Sequence, residues 1–399
     1  MSVLVAIVGL AFLILIHEAG HFFAAISVGM RPRRFYLGFP PAAAKVNRNG
    51  IEYGVGVIPL GGYVKIPGMH RPAASDVDVH FGRALQQRPE LAGPLQRLKR
   101  ALDAGDDAAA DAAVEELMHL GGDPPPPELT RGVQEVLDGL SPQAYWRQGT
   151  WRRIFVILAG PATNFLLAVA LFAILFVAGG GKATNTVGSV LPGKPAAAIG
   201  LKPGDEIVTV DGLVVGPRDI SREISGSKGK PVTVMVLRGQ RYVTLSPARP
   251  QMIDGAYRLG FVLRGEKLGL AASAWQSLKL TGVVTKEIGK SLGRLVHGQG
   301  RKDISSPVGI TQTLDRSASQ GVQQYLWVLG LISLSLALMN MLPLLPLDGG
   351  HIAFSIVEGI RGRAVAREVY ERVSVVGIAL VLFLFVIGIS NDVGRLGGG

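Results

Sequence analysis

Two imidazoles and a carboxylate lie close together in one apolar segment of this 399-residue chain, as His17, Glu18 and His21. In a helix, the two histidines face the same side one turn apart with Glu18 beside them, which is the ligand spacing of a zinc hydrolase. Such a match also occurs by chance in soluble helices. However, residues 2–30 carry no other charged side chain, and an ionisable group inside a membrane helix costs about 2.5–3.5 kcal/mol. We therefore interpret the motif as a functional site in a membrane helix.

A catalytic zinc ion needs a third protein ligand and one open position for water. The chain has no cysteine, so histidine, aspartate or glutamate must supply that ligand. Asp348 is the candidate, because it lies within the run at 340–351, NMLPLLPLDGGH, whose prolines predict a broken helix that reaches the depth of His21. His351 is predicted to have a structural role nearby, since a fourth ligand would close the site.

Four apolar blocks are suited to crossing a lipid bilayer and would position these residues. They lie at about 3–28, 154–178, 325–345 and 374–390. Arginine clusters follow the first block, precede the second and separate the third from the fourth, which predicts that this side is cytoplasmic. The net charge of +11 is dispersed and lacks a basic and aromatic pattern, so no nucleic-acid partner is expected.

The segments between the blocks differ in pattern. Asn49 and Gly50 predict the turn of a membrane-associated β-hairpin, whose edge could pair with an extended peptide. Residues 70–150 are predicted to be a cytoplasmic helical insertion with two short helices before the proline run at 124–127 and one after it, near 128–139. Residues 183–265 alternate as a β domain that includes a strand at Glu206–Val210. The helical stretch after it is either an amphipathic segment along the outer membrane interface or a plain connector.

Several motifs together carry a family resemblance. The run at 195–212, PAAAIGLKPGDEIVTVDG, resembles the PDZ domains of bacterial proteases, although an ordinary small β domain without a ligand remains an alternative. With HEAGH at 17–21, GPATN at 160–164, SSPVGI at 305–310 and the run at 340–351, the chain resembles the bacterial site-2 protease family of intramembrane zinc metalloproteases, in its PDZ-bearing branch. The resemblance covers nearly the whole chain except about 70–140.

The resemblance implies a multi-pass α-helical membrane protein with about four transmembrane helices, a membrane-associated β-hairpin and an inserted extracytoplasmic PDZ-like domain. It implies that His17, His21 and Asp348 bind Zn²⁺ and that Glu18 is the general base. It also favours substrate contact for Asn164 and Asn340, which from their residue type alone are as well suited to joining helices. Pro343 is a further candidate for substrate binding. The domains expected are 1–69, 70–150, 151–182, 183–265, 266–321 and 322–399.

The expected function is hydrolysis of a peptide bond within or near the transmembrane helix of a single-pass membrane protein, such as an anti-sigma factor. The expected location is the bacterial inner membrane, with the active site near the cytoplasmic side. The PDZ-like domain would bind a cut carboxyl terminus or act as a size filter. Two alternatives are a metal-ion transporter, which has no need of Glu18 beside His17, and an inactive scaffold whose PDZ-like domain recruits partners.

Overall fold

The computed structural model describes residues 2–122, 124–180, 182–253, 255–301, 304–365 and 367–397. The first half of the chain contains α1 (Ser2–Ser27), β1 (Arg34–Arg48), β2 (Ile51–Lys65), α2 (Ala74–Gln87), α3 (Ala92–Ala104), α4 (Asp107–Leu120), α5 (Pro127–Leu140), α6 (Thr150–Leu175), β3 (Lys182–Val190) and α7 (Pro195–Ala198). The second half contains β4 (Glu206–Val210), β5 (Leu213–Val214), α8 (Pro217–Gly226), β6 (Val234–Arg238), β7 (Arg241–Thr244), β8 (Gln251–Ile253), β9 (Ala256–Arg258), β10 (Phe261–Glu266), α9 (Leu270–Val296), α10 (Pro307–Ser319), α11 (Val322–Asn340), α12 (Asp348–Arg361) and α13 (Arg367–Gly397).

The chain divides into two compact units. The first consists of Met1–Leu166, Arg294–Arg316 and Ser333–Gly399, and it contains every residue predicted to belong to the zinc site. The second consists of Leu167–Gly293 and Ser317–Ile332.

Four helices among the described residues are long and apolar enough to cross a membrane. Their apolar stretches are Val3–Ser27, Thr150–Ala178, Val322–Asn340 and Glu368–Gly394. The third is shorter than the predicted block at 325–345, because α11 ends at Asn340 and residues 341–347 form an irregular turn before α12. Pro343 and Pro346 explain this end, since proline cannot donate the backbone hydrogen bond that a helix interior requires.

In the first unit, β1 and β2 form the predicted hairpin. The turn is at Asn49 and Gly50, whose φ angles of 53° and 76° are those of the tight turn that an Asn-Gly pair favours. The strand β2 folds back along β1, so that Arg34 lies opposite both Glu52 and Lys65. The last segment of β2, at 62–65, therefore pairs with the start of β1 and leads directly from the hairpin base to the rest of the chain.

The helical insertion has its own apolar core. Its largest fully buried side chains come from all four of its helices: Phe81, Leu98, Leu117 and Leu129. The sequence predicted two helices before the proline run, and this was wrong, because the structure has α2, α3 and α4 there. Gly105 ends α3 in a left-handed conformation with φ 69°, and the Asp106 side chain then accepts the backbone hydrogen bond that begins α4.

The second unit contains a β domain whose strands pair antiparallel. Its main sheet has the strand order β10-β3-β4-β6-β7, with β5 beside β4, while β8 and β9 form a separate pair. The predicted strand at Glu206–Val210 is β4. The sheet and α8 enclose a core of Val187, Ile207, Ile220, Val232 and Val236. The stretch after this domain is one long helix, α9, which exposes Trp275 and Val283 while burying Ser273, Ser277 and Thr281.

Candidate metal centre

Three predicted zinc ligands converge in the first unit although 327 residues separate His21 from Asp348. The Nε2 atoms of His17 and His21 lie 3.3 Å apart on consecutive turns of α1. One carboxylate oxygen of Asp348, at the start of α12, lies 3.2 Å from Nε2 of His17 and 3.4 Å from Nε2 of His21. These are the potential ligand atoms that the described residues bring within 4.8 Å of one another.

The donor set fits a zinc ion. Two neutral imidazoles and a carboxylate are typical ligands of catalytic zinc, and they leave a fourth position open. Ligand atoms about 2.0–2.1 Å from the centre of a tetrahedron are about 3.4 Å apart, and the three separations here are 3.2, 3.3 and 3.4 Å. The side chains are therefore already arranged around a space of the size that zinc requires.

The orientation of His21 depends on α6. Its Nδ1 donates a hydrogen bond to the Val156 carbonyl at 2.9 Å, which leaves Nε2 free to face the other ligands. Gly160 lies against the same ring: a Cβ atom there would be 2.2 Å from Nε2 of His21. The GPATN motif at 160–164 drew attention to this turn, but the sequence did not reveal that its glycine makes room for a ligand.

Asp348 is positioned by the attachment of α12 to α6. The guanidinium of Arg153 forms an ion pair with Glu358 at 2.5 Å, and the two side chains are 10% and 17% exposed. Nearby, the hydroxyl groups of Tyr145 and Ser355 are hydrogen-bonded at 3.3 Å. These long-range contacts hold the helix that begins at Asp348 beside the helix that orients His21.

Glu18 lies beside the ligands and against the last segment of the hairpin. A Cβ atom on Gly62 would be 2.2 Å from Cγ of Glu18. Only a glycine, which has no side chain, therefore lets the strand come this close to Glu18. The sequence predicted the hairpin but not this contact, which no local pattern signals.

The comparison with known proteins identifies the family of this chain. The model of peptidase family M50 matches residues 5–384 of the chain. The chain belongs to peptidase family M50. Zinc metalloprotease RasP of Geobacillus kaustophilus is 29% identical over 415 residues, which cover 98% of this chain and 97% of that protein. Metalloprotease MmpA of Caulobacter vibrioides is 28% identical over 417 residues, which cover 97% and 94%.

Membership of family M50 makes the chain a zinc metalloprotease of the site-2 type. The family acts on membrane-anchored substrates within the bilayer, and the four apolar helices are those of a membrane protein. The resemblance inferred from the motifs is thereby confirmed at the level of the family, and zinc as its metal is confirmed with it.

The predicted substrate-binding residues of the M50 protease lie outside the ligand cluster. Asn164 on α6 is 1% exposed, and neither atom of its side-chain amide has a hydrogen-bond partner among the described residues. Its backbone carbonyl accepts a hydrogen bond from the Ser333 hydroxyl at 2.8 Å. Asn340 is the last residue of α11 and is half-buried, while Pro343 is exposed in the turn that leads to Asp348.

His351 lies one turn after Asp348 on α12 and is not a member of the ligand cluster. Its Nδ1 is hydrogen-bonded to the hydroxyl of Tyr370. Burial lowers the pKa of His351 to about 4, so its ring is neutral at neutral pH. His351 also lines a cavity of about 780 Å³ together with Arg153 and Glu358, which places a cavity lined in part by charged side chains one helical turn from Asp348.

Proposed function

We propose that this protein hydrolyses a peptide bond within or next to the transmembrane helix of a membrane-anchored protein, with His17, His21 and Asp348 as the zinc ligands. One observation carries the proposal: three ligand atoms lie 3.2–3.4 Å apart, and the two histidines and the Glu18 carboxylate beside them belong to a helix suited to crossing a membrane. A structural metal site has no need of the adjacent carboxylate, whereas peptide hydrolysis requires a group that moves protons.

Zinc, when bound, polarises the scissile carbonyl and favours ionisation of water. Glu18 takes a proton from the attacking water onto its carboxylate as the water oxygen bonds to the carbonyl carbon. The same carboxyl group then donates that proton to the departing nitrogen as the carbon–nitrogen bond breaks. The close approach of Gly62 keeps the carboxylate in place for both transfers. The cavity lined by His351, Arg153 and Glu358 supports a route for water.

The substrate must lose its helical hydrogen bonds before it can be cut, because the backbone of a helix is shielded by its own side chains and bonds. Asn164 supports such a role, since its buried amide has both donors and an acceptor to offer to an unwound backbone. Asn340 and Pro343 lie on the segment that leads to Asp348 and are proposed as further substrate contacts. The strand segment at 62–65 offers a backbone edge for pairing with the substrate.

The β domain at 183–265 is proposed to be PDZ-like and extracytoplasmic, and the zinc site to lie nearer the cytoplasmic side of the bacterial inner membrane. The arginine clusters, which all fall on one side of the membrane when the four apolar blocks alternate in direction, support this orientation. On this topology, four helices span the membrane and the β domain controls which substrates are admitted. Single-pass anti-sigma factors are the proposed substrates.

The variant Glu18→Gln tests the proposal, because glutamine keeps the size of the side chain but cannot accept and release the proton. We expect zinc content to equal that of the wild type, while cleavage of a reporter transmembrane helix falls about 10²–10⁴-fold. Purified protein in detergent is assayed for zinc by elemental analysis and for cleavage by electrophoresis. Unchanged cleavage would refute the assignment. A transporter would move zinc with or without Glu18, and a scaffold would show no cleavage in the wild type.

A further inference from the structure

Helix α5 of the insertion is fastened to the base of the hairpin by two ion pairs. Nε of Arg33, just before β1, lies 3.0 Å from each carboxylate oxygen of Asp138, and its Nη2 also donates to this carboxylate. The Asp138 side chain is only 4% exposed and accepts a further hydrogen bond from Gln134 at 2.8 Å. Lys65, at the end of β2, forms the second ion pair with Glu135. Asp138 and Glu135 are three residues apart and thus share one face of α5.

The two basic partners are themselves joined across the hairpin base. The backbone N–H of Arg33 donates to the Lys65 carbonyl at 2.8 Å, and the carbonyl of Arg33 accepts from Glu52 N–H at 2.9 Å. Helix α5 therefore contacts the hairpin both at the start of β1 and at the end of β2. From Lys65 the strand runs back three residues to Gly62, which lies against the Glu18 side chain.

We propose that Asp138 and Glu135 are positioning residues for the Glu18 carboxylate, acting through Arg33 and Lys65 on the strand segment at 62–65. This inference rests on the proposed role of Glu18 as general base. A buried carboxylate such as Asp138 requires its cationic partner, so the bidentate contact strongly favours one position of the hairpin base. Because a misplacement of about 1 Å in a catalytic group can cost about 100-fold in rate, a looser hairpin would slow the proton transfers. The helical insertion thus becomes part of what makes the active site competent.

The test removes the ion pair between Arg33 and Asp138 from either side. Asp138→Asn acts from the insertion, and Arg33→Gln acts from the hairpin and leaves the insertion core untouched. In the full-length protein we expect kcat for a reporter transmembrane helix to fall about 10- to 100-fold in each, with KM and zinc content unchanged. The double variant should be no slower than the slower single variant, since both remove the same contact. Arg33→Lys, which keeps the charge without the bidentate geometry, should restore part of the rate.

The matched control is Glu116→Gln, which breaks the ion pair of Glu116 with Arg97 inside the insertion without touching the hairpin. Its kcat should equal that of the wild type. The inference is overturned if Arg33→Gln retains full kcat, or if the two single effects multiply in the double variant. It is also overturned if zinc is lost together with activity, because the contact would then support the helices that carry the zinc ligands and not Glu18. Glu18→Gln, assayed in parallel, separates the two proposals. If Glu18→Gln cleaves the reporter normally, the proposed function is wrong. If Glu18→Gln is inactive while the variants of Arg33 and Asp138 cleave normally, only the positioning role of Asp138 and Glu135 is wrong.

Discussion

The variant Gly160→Ala tests whether α6 lies as close to the zinc ligands as the structure indicates. The added Cβ would be 2.2 Å from Nε2 of His21, 2.6 Å from Cε1 and 2.7 Å from Cδ2. Ordinary contact between such atoms begins at about 3.4 Å, so the imidazole would have to retreat by about 1.2 Å. Because zinc sites tolerate deviations of about 0.2 Å in their ligand distances, His21 could not remain a ligand without moving a helix.

The expected cost of this change is large for a single methyl group. A displacement of about 1 Å corresponds to a loss of about 100-fold in rate, or about 2.7 kcal/mol of transition-state stabilisation. We expect the protein to lose zinc to a chelator that the wild type resists, and cleavage of the reporter helix to fall by at least the same factor. Zinc is measured by elemental analysis after the chelator step, and cleavage is measured before and after zinc is restored.

The control is Gly82→Ala on α2, where an added Cβ would meet no atom within 4 Å. This half-buried helical position, which has room for the added methyl group, should gain up to about 1 kcal/mol of stability and leave zinc and cleavage unchanged. If Gly160→Ala retains zinc and wild-type cleavage, α6 does not pack as closely against His21 as we infer. In that case the hydrogen bond from His21 to Val156 cannot be what orients the ring.

Two further predictions concern Asn164 and Asp205. Replacing the unpaired buried amide in Asn164→Leu should leave the thermal unfolding temperature nearly unchanged, but kcat/KM should fall about tenfold if the amide binds substrate, and an unchanged kcat/KM would exclude that role. Asp205 accepts hydrogen bonds from Arg238 at 2.7 and 2.6 Å, and this guanidinium holds the pKa of the buried carboxyl below its usual range. Its stabilising effect is therefore present above the ordinary aspartate pKa of about 3.9 and is lost as the pH falls through the lower value in the folded protein. Asp205→Asn should raise amide hydrogen exchange in β4 about tenfold at pH 7 and remove the acid dependence of this protection, whereas equal exchange in both proteins at pH 7 would contradict the role of the ion pair.

Local patterns in the sequence were enough to predict the elements that depend on neighbouring residues. The four-residue spacing of His17 and His21 places both rings on one face of any helix. The Asn49-Gly50 pair favours its turn through its own backbone preferences, and β4 alternates as a strand should. The same approach predicted two helices where the structure has α2, α3 and α4, because a run of helix-forming residues obscures an interruption as short as Gly105 and Asp106. It also extended the third apolar block beyond Asn340, because hydropathy does not register the missing N–H of proline.

The contacts that complete the site join residues far apart in the chain, and only the tertiary structure decided them. Asp348 could be nominated as the third ligand by its chemistry, but its 3.2 Å approach to His17 depends on how α12 packs against α6. The carbonyl that orients His21 is 135 residues away, and the carboxylate that grips Arg33 is 105 residues away. Neither the backbone carbonyl of Val156 nor the missing side chains of Gly160 and Gly62 leaves a chemical signature in the sequence. Their effect comes from position alone, and position is set by the packing of the whole unit.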